Sequence, residues 1–274
     1  MSARERDDVF DLAGRVVVVT GAFGQLGRQF AAALARRGAC IAAFDQAADE
    51  SRGADVFGDG HETILPVPVD VTSRSSLESA LKTVNTQLGV PHGLVNAAAI
   101  DAPPDAPAEE NGPFETYPES SWDQVMDVNV KGTLLCCQAV GAQMASAGRG
   151  SIVNVSSIYG LVSPDQRLYE YRRQAGGRFF KPVAYSVSKS ALFNLTRYLA
   201  TYWADRNVRV NTVTFGGVFN HQDERFVAAY AARVPIGRMA RADEYNGAIV
   251  FLLSDASSYM TGSNLVIDGG WTAW

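Results

Sequence analysis

Short apolar runs alternate along the chain with longer segments whose apolar residues recur every three or four positions. The runs are rich in valine, isoleucine, leucine and alanine, which is typical of parallel strands buried on both faces. The predicted strands span residues 15–19, 40–44, 62–69, 94–99, 151–157, 208–214 and 264–267. The predicted helices span residues 28–37, 73–88, 119–147, 182–205 and 243–253, and the third is interrupted near Gly132. This alternation predicts an α/β fold, a doubly wound parallel sheet of the Rossmann type in a three-layer sandwich.

Length and composition bound the class of protein. The chain has 274 residues, of which 47% are hydrophobic and 19% charged, so a single domain over residues 1–274 can bury a sizeable core. The net charge of -5 and the lack of a long basic run argue against nucleic acid as a partner. The acidic segment 101–118 carries five prolines and is predicted to form an irregular surface loop beside the site.

The three cysteines, Cys40, Cys136 and Cys137, stand in apolar surroundings without the spacing of metal ligands. They predict inert thiols in a reducing compartment, and no metal site. Residues 1–11 are polar, and apolar residues nowhere run together for the length of a membrane span. We therefore expect a cytoplasmic protein without a membrane partner.

A glycine-rich turn at residues 20–27 joins the first predicted strand to the first predicted helix. Gly21, Gly24 and Gly27 lack the Cβ atoms that would block a tight turn and a close ligand. Unpaired N–H groups and the positive end of the helix suit a pyrophosphate at this point. The alternative is a strand-to-helix turn that binds nothing.

Asp45 closes the second predicted strand. An acidic residue at this distance from a glycine turn can bond both ribose hydroxyls of an adenosine and would repel a 2′-phosphate. No arginine or lysine lies in the turn or directly after Asp45, so the sequence predicts NAD rather than NADP as the cofactor. The alternative is that Asp45 caps the following helix.

Tyr185 and Lys189 lie four residues apart on one face of a predicted helix. A free phenol has a pKa near 10. The Lys189 ammonium and a positive nicotinamide ring would favour the phenolate and lower the pKa of Tyr185, which would then exchange protons near neutral pH. Ser157 is placed to hold a substrate oxygen at Tyr185. The same Tyr-x-x-x-Lys spacing by itself is usual on solvated helix faces.

Several such motifs in this order make the chain resemble the single-domain branch of the short-chain dehydrogenase/reductase family, from about residue 12 to 271. The residues that carry the resemblance are the turn at 20–27, Asp70, Val71, 96–98, Asn129, Ser157, Tyr185, Lys189, Gly216, 260–262 and 268–271.

The resemblance implies that hydride moves between a substrate carbon and the nicotinamide ring. Tyr185 would be the general acid/base and Ser157 the anchor of the substrate oxygen. Lys189 would tune Tyr185 and bind the nicotinamide ribose, and Asn129 would hold a water that relays protons. The implied cofactor-binding residues are Gly21, Gln25, Leu26, Gly27, Asp45, Asp70, Val71, Asn96, Ala97, Ala98, Tyr185, Lys189, Gly216, Val218 and Asn220.

Some positions depart from the family pattern. Gln25 stands where the middle glycine is usual, and the spacing of Gly21, Gly24 and Gly27 resembles a sugar-nucleotide-modifying branch. This leaves a nucleotide-sugar epimerase or dehydratase as an alternative, although that branch adds a C-terminal substrate domain for which this length leaves no room. A non-catalytic dinucleotide sensor is a second alternative, although such proteins typically lose the tyrosine or the lysine.

Ser157 and Tyr185 are 28 residues apart, a much longer spacing than the family usually has. The spacing predicts an active-site insertion at residues 163–183. Its four arginines and one lysine oppose two acidic residues, a formal charge of +3 over residues 164–181. The basic residues are Arg167, Arg172, Arg173, Arg178 and Lys181. The insertion either clamps an anionic substrate or packs against a neighbouring subunit.

We therefore expect an NAD-dependent oxidoreductase that interconverts a secondary alcohol and a ketone on a polar small molecule, such as a sugar derivative in carbohydrate biosynthesis. The resemblance also implies a homotetramer built on residues 119–147, 183–205 and the C-terminal segment. Trp271 and Trp274 are expected to be buried against a partner subunit.

Overall fold

The computed structural model describes residues 8–58, 61–101, 111–177 and 179–274, and its sheet confirms the predicted doubly wound topology. The strands are β1 (Val16–Thr20), β2 (Cys40–Asp45), β3 (Ile64–Pro68), β4 (Gly93–Asn96), β5 (Gly150–Ser157), β6 (Val208–Phe215) and β7 (Asn264–Ile267). They pair in parallel in the order β3-β2-β1-β4-β5-β6-β7. From β1 the chain adds β2 and β3 on one side, and β4 then returns to the other side of β1, so the strand order reverses there. A ligand crevice is expected at the carboxyl ends of the strands at such a point.

Five of the helical regions occupy predicted segments, and four short helices were not predicted. The helices are α1 (Gly27–Ala35), α2 (Glu50–Phe57), α3 (Arg74–Gln87), α4 (Glu119–Met126), α5 (Thr133–Ala147), α6 (Ile158–Leu161), α7 (Glu170–Gln174), α8 (Val183–Tyr202), α9 (Glu224–Ala231) and α10 (Asn246–Leu253). The helices outside the predicted segments, α2, α6, α7 and α9, have eight residues or fewer, and a segment this short shows little apolar period. Side chains of Asp49, Ser157 and Asp223 cap three of them by accepting backbone N–H bonds.

The interruption predicted near Gly132 is a π-helical turn, Asp127–Gly132, between α4 and α5. A π turn inserts an extra residue into the helix and is frequent at functional sites. Gly132 lets this turn approach the chain after β3, because a Cβ there would lie 2.9 Å from Cγ2 of Val71. The turn carries Asn129 into the interior, where it is 1% exposed.

Alternate residues of each central strand enter two cores on opposite faces of the sheet. In β1, Val16 and Val18 pack with residues of α3, α5 and α8, whereas Val17 and Val19 pack with residues of α1 and α10. This confirms that the first strand is buried on both faces. Burial also raises the pKa of the Cys136 and Cys137 thiols on α5, so both stay protonated and unreactive.

Strand β4 is shorter than the predicted 94–99. The ladder ends at Asn96 because the N–H groups of Ala97 and Ala98 both donate to the Thr20 hydroxyl at 3.1 Å. The predicted loop at 101–118 includes residues 102–110, which lie outside the described residues. Within the described part of the chain, no helix is both long enough and apolar enough to span a bilayer.

Candidate active site

The turn after β1 forms a cradle that side chains would fill. Gly21 has a φ of +64°, and a Cβ there would come within 2.8 Å of the Ala98 Cα. A Cβ on Gly27 would overlap the carbonyl oxygen of Gly21, whereas one on Gly24 would lie 3.2 Å from the same oxygen. Glycine is therefore required at 21 and 27 and preferred at 24. The cradle fits the pyrophosphate of a nicotinamide dinucleotide.

Helix α1 starts directly above this cradle. The Arg28 N–H donates to the Gly24 carbonyl at 3.1 Å, and among the described residues no side chain caps the first turn at Leu26, so the positive helix end stays available to an anion at the cradle. The side chain of Gln25, which replaces the usual glycine, donates from Nε2 to the carbonyl oxygen of Phe219 at 2.8 Å. Gln25 thus joins the glycine turn to the loop that follows β6.

Asp45 ends β2 beside the glycine turn. Its Oδ2 accepts from the Phe23 N–H at 3.1 Å, and its Oδ1 accepts from the Ala47 N–H at 3.0 Å. These bonds fix the carboxylate next to the turn and leave each oxygen a lone pair for a ribose hydroxyl. The alternative role, capping the following helix, is wrong, because Asp49 caps α2 by accepting from the Arg52 N–H.

Two further predicted residues, Asp70 and Val71, follow β3. Asp70 accepts from the N–H and the hydroxyl of Thr72 at 2.9 and 2.7 Å, and these bonds lower the pKa of its carboxyl. Val71 is buried against Gly132. Asp70 therefore stays ionised. It lies near Asp45, because β3, which ends two residues before Asp70, pairs with β2 up to Asp45.

The side chain of Asn96 points into the protein. It is 3% exposed, and its Nδ2 donates to Asn154 Oδ1 at 2.8 Å and to Cys137 Sγ at 3.3 Å. Any contact of Asn96 with a nucleotide is therefore made by its backbone. Thr20, which the sequence analysis did not single out, holds Ala97 and Ala98 in place through its hydroxyl.

The predicted catalytic side chains come together at the carboxyl end of β5. Ser157, Tyr185 and Lys189 line one cavity of about 590 Å³. Tyr185 and Lys189 lie on α8, with the Lys189 ammonium 5.8 Å from the centre of the Tyr185 ring. The same ammonium donates to the carbonyl oxygen of Val155 at 2.9 Å, which anchors α8 to β5.

Burial shifts the pKa values of both residues toward their neutral forms. It lowers the pKa of Lys189 to about 8 and raises the pKa of Tyr185, which the Asp101 carboxylate raises further. A hydrogen bond with Ser157 acts in the other direction on Tyr185. The lowering expected from Lys189 and a nicotinamide ring must therefore overcome the cost of burying a phenolate.

Asn129 contacts the residue before Lys189 rather than Lys189 itself. Its Oδ1 accepts from the Ile100 N–H at 2.8 Å, and its Nδ2 donates to the Ile100 carbonyl at 3.0 Å and to the Ser188 hydroxyl at 2.9 Å. Ser188 in turn donates to the Tyr185 carbonyl at 2.7 Å. The Asn129 side chain thus connects the segment after β4 with the catalytic turn of α8.

The loop after β6 closes the other side of the cavity. A Cβ on Gly216 would lie 3.0 Å from the Asp268 Cα, so the loop passes close to the chain after β7. The Val218 carbonyl and the Asn220 N–H both bond the side chain of Gln222, at 2.8 and 2.7 Å. Gly216, Val218 and Asn220 all line the cavity with the catalytic residues.

The insertion folds onto its own subunit. It forms a 3₁₀ turn, Gln166–Tyr169, followed by α7, and buries Leu168 and Phe179 in a third core with Trp271. Trp271 stacks on Tyr230 with ring centres 4.6 Å apart, so the expectation that it is buried against a partner is wrong. Trp274 is exposed.

The basic residues of the insertion have different roles. Arg173 donates to the carbonyls of Phe179 and Gln166 and pairs with Glu170, so it holds the insertion together. Arg167 pairs with Asp165 on the surface. Of the described basic residues, Arg172 and Lys181 line the cavity. Arg178 lies outside the described residues.

Lys181 is paired inside the cavity. Its ammonium bonds Asp101 at 2.5 Å and lies 4.9 Å from the centre of the Tyr185 ring. Arg172 stacks on Phe179, with its guanidinium 4.6 Å from the ring centre. Of the basic residues that could have clamped an anionic substrate, the described cavity lining therefore contains two, and both have partners of their own.

Most of the wall at the substrate end of the cavity consists of residues that the sequence did not predict there. The lining residues that were not predicted there are Tyr159, Phe226, Tyr230 and Met239. They come from α6 and from the region around α9, two elements that the apolar pattern did not reveal. The insertion carries four aromatic residues, Tyr169, Tyr171, Phe179 and Phe180, which were a signal in the sequence for this wall.

Among the described residues, His, Cys, Asp and Glu side chains form no group of three that could hold a metal ion.

Comparisons with known proteins cover nearly the whole chain. The family model described as enoyl-(acyl carrier protein) reductase matches residues 21–272. D-threitol dehydrogenase of Mycolicibacterium smegmatis is 36% identical over 272 residues, covering 96% of this chain and 95% of the relative. Cis-4-hydroxycyclohexanecarboxylate dehydrogenase of Sinomonas cyclohexanicum is 35% identical over 269 residues, covering 95% and 98%.

Some of the similar proteins are named for NAD and others for NADP. An NAD-dependent glycerol dehydrogenase of Listeria innocua is 29% identical over 277 residues and covers 99% of both chains. An NADP-dependent mannitol dehydrogenase of Hypocrea jecorina is 34% identical over 271 residues and covers 97% of this chain and 95% of the relative. Among solved structures, a short-chain type dehydrogenase/reductase from Mycobacterium marinum superposes with a TM-score of 0.83, at 30% identity over 97% of this chain and 98% of that one.

Proposed function

The chain belongs to the short-chain dehydrogenase/reductase family, and on that premise we propose that it is an NAD-preferring dehydrogenase of a sugar alcohol. The reaction interconverts a secondary alcohol and a ketone. One observation carries the proposal: Ser157, Tyr185 and Lys189 line a single cavity that opens beside a glycine cradle. A dinucleotide sensor has no need of this catalytic group, and its presence favours an enzyme.

The chain's own residues supply binding and proton transfer. The nicotinamide dinucleotide, when bound, accepts the hydride from the carbinol carbon. Gly21, Gly27 and the start of α1 would hold its pyrophosphate. Ser157 donates a hydrogen bond to the substrate oxygen, and the phenolate of Tyr185 takes the proton from that oxygen. The Lys189 ammonium, held against β5, stabilises the phenolate.

The preference for NAD rests on Asp45. Its carboxylate is fixed beside the glycine turn by two backbone N–H groups, where it can accept bonds from the ribose hydroxyls. A 2′-phosphate would meet this negative charge at close range. Because relatives named for NAD and for NADP both match the chain, the preference depends on Asp45 and not on the comparisons.

Three basic and two acidic side chains (Arg172, Lys181 and Lys189 with Asp101 and Asp223) stand in the described lining of the cavity, and this near balance favours a neutral substrate over the anionic one that the sequence suggested. Asp101 pairs with Lys181, and Asp223 pairs with Arg225. The relatives' names include dehydrogenases of threitol, glycerol, mannitol, arabinitol and galactitol. These names favour interconversion of sugar alcohols over the biosynthetic role that the sequence analysis expected.

We also propose the homotetramer that the family resemblance implies. Helix α8 exposes Val187, Tyr198 and Tyr202, which lie on one face of the helix. Tyr198 and Tyr202 stack with ring centres 5.9 Å apart and are each about 60% exposed. An aromatic stripe of this kind fits a subunit interface. The cytoplasmic location stays a prediction that rests on the sequence alone.

Oxidation of sugar alcohols tests the proposal directly. Threitol, glycerol, mannitol, arabinitol and galactitol are offered with NAD⁺ or NADP⁺, and nicotinamide reduction is followed by absorbance. We expect oxidation of at least one polyol, with a higher kcat/KM for NAD⁺ than for NADP⁺. Failure of all five polyols, together with failure of the reverse reduction of the matching ketoses, would contradict the proposed substrate class.

A further inference from the structure

A single side chain joins two walls of the cavity at its nucleotide end. Gln25 lies in the glycine turn, and its Nε2 donates to the carbonyl oxygen of Phe219, 194 positions further along the chain, at 2.8 Å. Gln25 and the two neighbours of Phe219, Val218 and Asn220, all line the same cavity. The bond therefore connects the turn after β1 with the loop after β6 across this cavity, and it is named here the amide bridge.

The loop after β6 holds the Phe219 carbonyl in a fixed position. The Phe219 N–H donates to the Ala240 carbonyl at 2.9 Å, and the Ala240 N–H donates to the Gly217 carbonyl at 3.0 Å. The Gly217 N–H in turn donates to the hydroxyl of Tyr230, a buried side chain of α9. Because these bonds do not involve Gln25, we expect the loop to keep its place when the Gln25 side chain is removed.

The other end of the amide bridge is fixed as well. The Gly24 N–H donates to the Gly21 carbonyl at 3.1 Å, and the Arg28 N–H donates to the Gly24 carbonyl at 3.1 Å. These backbone bonds close the turn around Gln25. The Gln25 side chain is therefore the part of the bridge that can move, and rotation about its side-chain bonds opens or closes the bridge.

The Gln25 amide has a second N–H to donate. An amide nitrogen carries two hydrogens, and the amide bridge uses one of them. Gln25 is partly exposed in the cavity and belongs to the turn that fits a pyrophosphate, so the second N–H is available to a phosphate oxygen of a bound dinucleotide. A carboxylate of the same shape would instead repel both the phosphate and the Phe219 carbonyl.

We propose that Gln25 retains the bound dinucleotide: one N–H of its amide holds the Phe219 carbonyl across the pyrophosphate, and the other donates to a phosphate oxygen. The inference rests on the dinucleotide site of the proposed function and gives Gln25 a role that glycine, the usual residue at this position, cannot fill. Release of the nucleotide then requires the amide bridge to break. Since the bridge also closes the opening to an arriving nucleotide, its removal cannot slow association.

The test measures the dissociation of NADH by stopped-flow fluorescence, with an excess of NAD⁺ to prevent rebinding. Gln25→Ala removes both N–H donors, and we expect the dissociation rate constant to rise about fivefold. Gln25→Glu keeps the shape of the side chain and replaces the donors with a negative charge, so we expect a larger rise, of about twentyfold. The association rate constant of Gln25→Ala, measured by mixing the free protein with NADH, should not fall.

Gln29 provides the matched control, because it lies on α1 one turn beyond Gln25 and outside the described lining of the cavity. Gln29→Ala and Gln29→Glu make the same changes in size and charge and should alter NADH dissociation about twofold or less. Thermal unfolding of the nucleotide-free variants detects a damaged fold. A loss of NADH affinity in Gln25→Ala that arises wholly from slower association would indicate a distorted glycine turn and would overturn the inference.

The wild-type protein distinguishes the two levels of failure. If it binds NADH and releases it at the same rate as Gln25→Ala, Gln25 does not retain the nucleotide, and the proposed function still stands. If the wild-type protein binds neither NADH nor NADPH, the proposed function is overturned together with the inference.

Discussion

The two ends of the cavity are built differently. At the nucleotide end, glycines without a Cβ leave room for a ligand, whereas at the substrate end large side chains line the space. Gly21 and Gly27 make room by lacking a Cβ, and backbone N–H groups face the opening. At the other end, Tyr169 and Phe179 of the insertion pack against helix α9 and the loop around it. A cradle of backbone atoms suits the pyrophosphate, which is the same in every nicotinamide dinucleotide. A wall of side chains can differ between proteins and so suit a particular substrate.

The two ends also differ in how far apart their residues are in the sequence. The cradle is formed by eight consecutive residues, 20–27, and by Ala97 and Ala98, which the Thr20 hydroxyl holds. The substrate wall joins residues near 159, 169, 179, 230 and 239. A local motif can be recognised in a sequence, but a wall assembled from five distant segments cannot.

Among the effects on binding, the largest is expected at the cradle. Gly27→Ala places a Cβ onto the Gly21 carbonyl, and because backbone cannot move aside easily we expect a loss of about 2 kcal/mol or more in NADH binding. Gly24→Ala is the matched control, since its Cβ lies at 3.2 Å from the same oxygen and needs a shift of a few tenths of an ångström. Fluorescence titration with NADH measures both. Equal affinities in the two variants would contradict the steric account of the cradle.

A smaller change is expected at the ribose. Asp45→Ala removes a charged acceptor, so NADH affinity should fall about tenfold while NADPH affinity rises. Asp49→Ala is the control, because this residue caps α2 and lies outside the predicted cofactor set. The same titration with both nucleotides decides the matter. If Asp45→Ala binds NADPH no better, Asp45 does not set the preference.

The pH dependence sharpens the comparison at the substrate end. The Asp101 carboxylate raises the pKa of Tyr185 and also raises the pKa of Lys189 against the lowering by burial. Oxidation needs the Tyr185 phenolate, so it rises with pH through the Tyr185 pKa, and it declines once the Lys189 ammonium is lost. Asp101→Asn lowers both pKa values and should therefore move the whole profile of kcat/KM to lower pH.

Lys181→Met provides the opposing variant. It leaves the Asp101 carboxylate unpaired beside Tyr185, so the rising part of the profile should move to higher pH. Shifts of the two variants in the same direction would contradict this account of the ion pair.

The smallest effect is expected from loosening the substrate wall. Arg173→Ala removes two bonds to backbone carbonyls that hold the insertion, and we expect the KM for the polyol to rise about threefold to tenfold with an unchanged KM for NAD⁺. Arg167→Ala is the control, since it removes a pair on the surface. A change in the KM for NAD⁺ would show that the insertion also supports the nucleotide end.

The sequence was sufficient for the sheet and for the position of the glycine turn, because both depend on local patterns, whereas the catalytic roles stay what the family resemblance implies. Apolar runs predicted the strands, and the four-residue spacing placed Tyr185 and Lys189 on one helix face. The direction of the Asn96 side chain was beyond the sequence, because it depends on pairing with Asn154 across β4 and β5.

The insertion shows the same limit more clearly. Its charge suggested an anion clamp, but Arg173 turns back to bond carbonyls and Lys181 pairs with Asp101, 80 residues away in sequence. Counting charges along a segment does not show which of them are already paired. Tyr159 and Tyr230 were missed for a related reason, since only the folded chain brings them beside the insertion.

The most direct test of the account separates binding from chemistry in Tyr185→Phe. NADH affinity is measured by fluorescence, and polyol oxidation with NAD⁺ is measured by absorbance in the same preparation. We predict a fall in kcat of about a hundredfold or more, because the variant keeps the ring but cannot accept a proton, and a change in NADH affinity of about tenfold at most, from the loss of one hydroxyl. Turnover equal to that of the wild-type protein would contradict the assignment of Tyr185 and, with it, the proposed mechanism.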